Sequence, residues 1–359
     1  MRKPTSVERG SRRTGGRSTK PRRKHLYLVL DDWNLGYSIR KVDLASDDGA
    51  PSRQVVFSSK VALERLPPAV VRLKARPGMP DCFAAAFDTK IIALLPTMFG
   101  HDCRPLAHTC VSPIFDVRTR GLNFAPRPER LFVLSAKSFR VLCPPPAEDR
   151  PRHYWDGSWM ELPKHPFKRR HVTSYALHPD GRTILVSTKR EGTFSFGTEW
   201  KHHGAWVLPF HGRAHFDCEL KVWIGLSGDP STTGHLCAFG VPSDSGAIDG
   251  LWATKLSKEN VFSEDPNEKH IGATLVHMGG KGKFCLVQCV SIDDDGSSEE
   301  DLDLDELQPC SLLLRLTTFS LKFDMDGDLT TGNSCRVRCY KLSKAVSQYA
   351  MNNPVAFWM

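Results

Sequence analysis

From residue 26 onward the chain alternates short apolar runs with clusters of Gly, Pro, Asp and Asn. "LYLVL", "YSIRKVDL", "RQVVFS", "CFAAAF", "KIIALL", "SPIFDV" and "RLFVLS" open the series, and "TSYALH", "TILVST", "GTFSF", "RAHFD", "KVWIGL" and "HLCAFGV" continue it. "KFCLVQCVSI", "LLLRLTTFSLKF" and "CRVRCYKL" complete it. These runs are rich in β-branched and aromatic residues and bounded by turn formers, so they predict strands. A helical pattern is confined to "VSQYAMNN". Turn chemistry joins the strands into hairpins: "HPDGRT" at 178–183 supplies a fixed φ at Pro179, a local acceptor at Asp180 and a tolerated positive φ at Gly181. "KREGT" at 189–193 and "FDMDGDLTTGN" at 323–333 repeat that chemistry. The expected topology is an antiparallel meander.

A loose internal repeat sharpens this picture. "IFDVRTRGLNFAP" at 114–126, "YWDGSWMELP" at 154–163 and "SFGTEWKHHGAWVLP" at 195–209 each carry an aromatic, a polar or glycine turn and a later proline. Their aromatics Phe115, Trp155 and Phe196 are 40 and 41 residues apart, and Phe239 follows 43 later. A period near 40 holds about four short strands, which is one propeller blade. The reading is an all-β fold, a β-propeller of six or alternatively seven blades. "IFDVRTRGLNFAPRP" followed by "RLFVLS" resembles the kelch blade, although beyond residue 25 the opening diglycine of that repeat occurs only at Gly279 and Gly280. "GTFSFGTEWKHHGAWVLPFHGRAHFDCELKVWIGLSG" at 192–228 is similar to a signature of a grass-expanded plant family of kelch-like proteins known only as a domain of unknown function. That resemblance implies a kelch-like propeller and brings no established activity with it.

Composition and charge then set the limits. Hydrophobic residues make up 40% and charged residues 25% of 359, as in a globular protein with a full core. The longest apolar run, "IIALLP" at 91–96, is too short to span a bilayer, so no membrane segment is expected. The net charge of +9 is concentrated: residues 1–25 carry ten Lys or Arg against Glu8 alone, and the remainder balances to zero. Residues 1–25 are too polar to offset the entropy of ordering and read as a disordered basic tail. Residues 26–345 read as the propeller, interrupted at 292–308 by an acidic insertion also expected to be disordered, and 346–359 as a C-terminal tail. The run 293–306 holds nine acids and no base, with Ser297 and Ser298 placed for an acidophilic kinase.

Candidate chemistry falls away on inspection. His202, His203, His211 and His215 lie within fourteen residues. Adjacent His202 and His203 would face opposite ways in a strand, and "HGRAH" lacks the Glu of a helical HExxH motif. They are expected to be polar turn residues between outer strands. Ser195 in "GTFSFG" lies inside a strand and outside the G-x-S-x-G pattern of a nucleophile elbow. Asp324, Asp326 and Asp328 alternate, but no Glu follows at position twelve, which excludes an EF-hand and predicts a hairpin turn. The eleven cysteines include no CxxC, and Cys285 with Cys289 and Cys335 with Cys339 are expected in the core as reduced thiols. Trp200, Trp206, Trp223, Phe194, Phe196 and Phe210 are expected to wedge between blades, each indole N–H on a backbone acceptor.

The function expected is a non-enzymatic propeller scaffold that binds a protein partner through loops on one face, with no metal and no cofactor. The alternative is a propeller oxidoreductase or hydrolase with a site at the central channel. Specific nucleic-acid binding is not expected, because attraction of the basic tail to phosphate alone carries no sequence information. Lys20, Arg22, Arg23 and Lys24 form a compact basic cluster of the kind that serves nuclear import, so nucleus or cytoplasm is expected ahead of an organelle. Ring closure predicts that "HLYLVL" pairs with or lies beside "CRVRCYKL".

Overall fold

The computed structural model describes residues 24–44, 62–75, 82–86, 90–94, 114–117, 130–135, 138–142, 159–180, 183–240, 254–280, 282–292 and 311–359. "RQVVFS", Trp155, most of the basic tail and the acidic run 293–306 lie outside the described residues. The strands follow in chain order. β1 (Leu26–Trp33), β2 (Gly36–Val42), β3 (Leu63–Glu64) and β4 (Ala69–Lys74) come first, then β5 (Cys82–Ala86) and β6 (Lys90–Leu94). Next are β7 (Ile114–Val117), β8 (Arg130–Leu134), β9 (Phe139–Leu142), β10 (Trp159–Leu162), β11 (Val172–Leu177), β12 (Ile184–Thr188), β13 (Gly192–Phe196) and β14 (Trp200–Gly204). β15 (Phe210–Asp217), β16 (Val222–Ser227), β17 (His235–Gly240), β18 (Thr254–Asn260), β19 (Glu268–His277) and β20 (Lys283–Ile292) follow. The last are β21 (Ser311–Ser320), β22 (Lys322–Phe323), β23 (Leu329–Thr330), β24 (Arg336–Lys341) and β25 (Val355–Trp358). "VSQYAMNN", the one helical expectation, forms turns and a single 3-10 turn at Ala350–Asn352.

Sheet order makes these strands a ring. Blade I is β25-β1-β2-β4, blade II β5-β6 and blade III β7 to β10 in sequence. Blades IV (β11 to β14) and V (β15 to β18) are likewise sequential, and blade VI is β19-β20-β21-β24 with β3 on its outer edge. Within a blade the main neighbours run antiparallel, whereas the first strands β11 and β15 pair parallel, with Ser174, Tyr175 and Ala176 opposite Gly212, Arg213 and Ala214. The first strands β5, β7, β11, β15, β19 and β25 are spatial neighbours in that order, and β25 returns to β5. Among the described residues this is a closed circle of radially arranged antiparallel sheets. The fold is an all-β propeller.

Burial follows from that arrangement, because each sheet is covered on both faces. In β20, Phe284 and Leu286 face a core shared with Ile224, Leu236 and Ala238 of blade V. The alternate residues Cys285, Val287 and Cys289 face a second core with Leu26, Leu28 and Leu30 of blade I. A strand buried on two sides therefore reads as a continuous apolar run. Blades III and IV meet through Phe132, Leu134, Phe139, Ile184, Phe194 and Phe196, and blades IV and V through Ala176, Phe210, Ala214, Trp223 and Phe239.

Closure differs in detail from the expectation. β1 pairs with β25 from Leu26 opposite Trp358 to Val29 opposite Val355. "CRVRCYKL" instead pairs with β21 and, in parallel, with β3. It lies beside β1 through a shared core that includes Tyr340 and Leu342. The segment 346–359, read as a tail, thus supplies the first strand of blade I. The repeat also shifts: Phe196 and Phe239 occupy third strands of consecutive blades, but Phe115 sits in the first strand of its own.

Candidate functional site

Where β11 and β15 begin, the connecting loops of blades IV and V form one face, called here the upper face. The link from β10 to β11, "PKHPFKRRH", is pinned by His165, whose ring nitrogens lie 2.6 and 3.1 Å from the carbonyls of Phe167 and Ser135. It ends in a 3-10 turn at Arg169–His171. Buried His171 meets Glu191 of the β12–β13 turn at 2.6 Å, and Lys189 donates its backbone N–H to the His171 carbonyl at 2.8 Å. Burial works to raise the Glu191 carboxyl, but hydrogen bonds from His171 and Thr188 outweigh it and hold the group below its ordinary value. The one acid of these two loops is therefore engaged from below.

That engagement leaves the cations above it unmatched. Lys168, Arg170, Lys189 and Arg190 are exposed and have no ion pair or side-chain hydrogen bond among the described residues. Beside them the link from β14 to β15 rises against the same turn, with the Trp206 carbonyl accepting from Thr193 Oγ1 at 2.7 Å and Leu208 N–H donating to Ser187 Oγ at 3.0 Å. Its Val207 stands 51% exposed, an apolar knob next to the basic rim. The upper loops of blade V carry the opposite sign, in Asp229, Glu264 and Asp265.

Ala176 and Ala214 are register partners that both face the core between blades IV and V. Two-residue alternation turns their neighbours Tyr175 and Arg213 away from that core, and Tyr175 packs against the core between blades III and IV. Arg213 is half-buried and has no ion pair or hydrogen bond among the described residues. Sequence reasoning missed the basic rim, because its cations come from two separate segments that only the blade topology brings together.

The family model described as "Protein of unknown function (DUF1668)" matches residues 23–340, most of the chain. The chain belongs to the DUF1668 family. The match runs from just before β1 into β24, so among the described strands it takes in the basic rim and leaves out β25. No curated protein matches. Among solved structures, the chain is similar to the β-propeller domain of Cps50 (Swd1) from Myceliophteria thermophila, at 8% identity and a TM-score of 0.27. The likeness covers 58% of this chain and 65% of that one, less than two thirds of its length, and the fold rests on the sheet order instead.

The residues singled out in the sequence are dispersed by the DUF1668 fold. The four histidines are strand residues and not turn residues: His202 and His203 lie in β14, His211 and His215 in the first strand β15. His202 donates to the Glu191 carbonyl at 2.9 Å, His203 lies 2.7 Å from Ser195 Oγ, and His215 donates to the Leu275 carbonyl at 2.9 Å. The Ser195–His203 pair has the reach of a catalytic dyad, and burial with neighbouring His202 and Lys201 lowers the His203 pKa. Ser195 is 7% exposed inside β13, between Phe194 and Phe196, and not on the sharp strand-to-helix turn of a nucleophile elbow. Among the described residues no three His, Cys, Asp or Glu side chains are grouped to hold a metal ion.

Other expectations find their places. Cys285, Cys289 and Cys339 are buried and Cys335 is partly so; burial pushes the thiols of Cys285 and Cys289 up to about 12. Indole N–H groups of Trp200, Trp206 and Trp223 donate to the carbonyls of Pro163, His203 and Leu177. Asp324 closes its hairpin turn by accepting from the N–H groups of Asp326 and Asp328 at 3.0 and 2.9 Å, and Lys258 reaches across from blade V to its carboxylate at 2.6 Å. Lys24 of the import cluster begins the described chain, and Lys20, Arg22 and Arg23 lie outside it. No helix of the described residues is long and apolar enough to cross a membrane.

Proposed function

We propose that this protein is a non-enzymatic propeller scaffold that binds a protein partner through the loops of its upper face. One observation supports the reading: Lys168, Arg170, Lys189 and Arg190 are held together by loops that are themselves fixed, yet none has a counter-charge among the described residues. Fixed, exposed charge of one sign steers association and restricts the choice of partner. The propeller supplies the rigid frame, and the loops carry the specificity. We assign the working compartment to nucleus or cytoplasm, with Lys20, Arg22, Arg23 and Lys24 as the import signal. A fluorescent fusion whose nuclear signal persists after Arg22, Arg23 and Lys24 become alanine would overturn that assignment.

The binding reading is tested by recovering the tagged chain from native tissue beside a variant carrying K168E, R170E, K189E and R190E, with quantitative mass spectrometry. A partner held by the native protein and lost from the charge-reversed one is expected. Identical sets of bound proteins would remove the upper face from the mechanism.

A further inference from the structure

We infer that His270 is a pH-dependent latch on the upper face: the neutral ring holds the loop 261–267 to blade VI through the Gln288 amide, and the protonated ring releases it. The inference concerns the acidic side of that face and stands apart from the partner proposed for the basic rim.

The loop links β18, the last strand of blade V, to β19, the first of blade VI, and carries Glu264 and Asp265. Its start is fixed. Val261 and Phe262 are buried in the core between the two blades, and their N–H groups donate to the Gly234 carbonyl and to Asn260 Oδ1, at 2.9 Å each. Beyond them Ser263 N–H donates to Gln288 Oε1 of β20 at 3.1 Å. The other hydrogen bonds of 263–267 among the described residues stay within the loop or join it to adjoining Glu268.

A backbone N–H can only donate, so Ser263 fixes which way the Gln288 amide points. Its oxygen faces Ser263 and its NH2 faces His270, whose Nδ1 lies 3.2 Å away. An NH2 can only donate as well. Nδ1 of His270 therefore accepts, which makes the ring neutral with its proton on Nε2. Gln288 is 1% exposed, so bulk water does not replace a partner lost at either end of the amide.

Protonation sets donor against donor. With a proton on Nδ1, the amide presents its NH2 to His270 or, once turned over, to Ser263, and in either orientation one bond of the chain is lost. The loss falls on 263–267, which that chain ties to blade VI. His270 lies flat on Phe262, with ring centroids 4.3 Å apart and planes 21° apart, yet it is exposed, so solvent protons reach it.

Burial is the one cause that moves the His270 pKa, and it moves it down from 6.5. The open loop leaves the ring at its ordinary value and so binds the proton more tightly than the closed loop does. Closure is therefore complete above pH 6.5 and is lost as pH falls through the lowered value. No charge nearby contributes. Glu268 and Lys269 are its neighbours on β19, and Glu268 is held by Arg315 of β21 at 3.0 Å. Glu264 and Asp265 stand on the loop, β15 carries His211, Arg213, His215 and Asp217, and Lys283 is at the far end of β20. The 3-10 turn at Ala350–Asn352 and β25, which also pack on β19, carry no charged side chain.

The test follows the full chain by hydrogen–deuterium exchange, with peptides covering 261–268 and, as an internal reference, 283–292, while nitrogen NMR of the imidazoles reads the tautomer. Between about pH 7.5 and about pH 5.5, exchange in 261–268 is expected to speed up at least roughly tenfold beyond the intrinsic change, and 283–292 to hold. His270→Asn puts Oδ1 where Nδ1 stands and takes up no proton, so its loop should stay protected at both pH values. Gln288→Glu offers an acceptor to Ser263 and another to the protonated ring. In that variant His270 should keep its proton to higher pH than in the native chain, and the loop should stay closed in acid.

A proton on Nδ1 of His270 at about pH 7.5 would overturn the inference. So would protection of 261–268 that ignores pH, an acid loss of equal size in His270→Asn, or equal loosening of 283–292, which would make the whole blade and not the loop the responsive element. A folded Gln288→Glu chain that opens in acid as the native chain does also sinks it. Should that variant not fold, the native chain and His270→Asn decide the matter between them.

Discussion

Asp217 is wholly buried at the end of β15, where it accepts hydrogen bonds from the N–H groups of Glu219 and Leu220 at 2.9 Å each, from Gly282 N–H at 3.0 Å and from His277 at 3.2 Å. Burial alone would raise its pKa, but the bonds from His277, Leu220 and Glu219 outweigh it and hold the group at about 2, against 3.8 unperturbed. Because the folded value is the lower one, the carboxylate stabilises the fold above about pH 4, and that stability is lost as pH falls toward 2. The contribution is about 2 kcal/mol. Asp217→Asn should lower Tm clearly at pH 7 and progressively less below pH 4 in parallel melts with the native protein. A difference that stays constant down to pH 2 would mean that the charge is not what matters. The sequence offered no hint of this residue, since its donors arrive from a turn of its own blade and from the next blade, about 60 positions away in the chain. The neighbouring histidines were conspicuous in the sequence, and two of them, His202 and His215, are ordinary hydrogen-bond donors to carbonyls.

β13 and β14 show what the strand pattern does and does not convey. The alternation in "GTFSF" and the turn residues of "KREGT" announce a hairpin, and the structure delivers it from Ile184 opposite Phe196 to Thr188 opposite Gly192. The reason for glycine at 192 is tertiary. Its φ is +83°, and a Cβ there would sit 2.0 Å from the Gly204 carbonyl oxygen, where the pairing of β13 with β14 is irregular. Gly192→Ala should cost about 2–4 kcal/mol, read from urea unfolding midpoints. A cost under about 1 kcal/mol would show that the hairpin can yield. Elements whose partners are close in the chain were thus legible, together with the all-β class and the blade-sized period between Phe196 and Phe239. β25 was not: "VAFW" is four residues behind Pro354, too short to declare itself, and its partner β1 lies at the other end of the chain. The basic rim escaped for the same reason, as charge runs read alike whether or not a fold gathers them.

At the scale of the molecule, the ring is held shut by few groups. The four pairs of β1 with β25 are extended by reciprocal bonds between the His25 and Met359 backbones at 2.7 and 3.1 Å, and β3 clasps the outer edge of blade VI. Removing residues 355–359 strips blade I of its first strand and should lower Tm by more than about 10 °C or abolish a cooperative melt. Removing residues 1–23, whose composition is too polar to offset the entropy of ordering, should leave the melt within about 1 °C. Equal melts for both shortened chains would place ring closure elsewhere. The same seam sets a timetable for biosynthesis. β1 leaves the ribosome about 320 residues before β25, the strand that covers its inner edge, so at about 5–20 residues per second the edge stands uncovered for roughly 15–65 s. Through that interval the nascent protein offers a bare apolar strand to every other chain being made nearby.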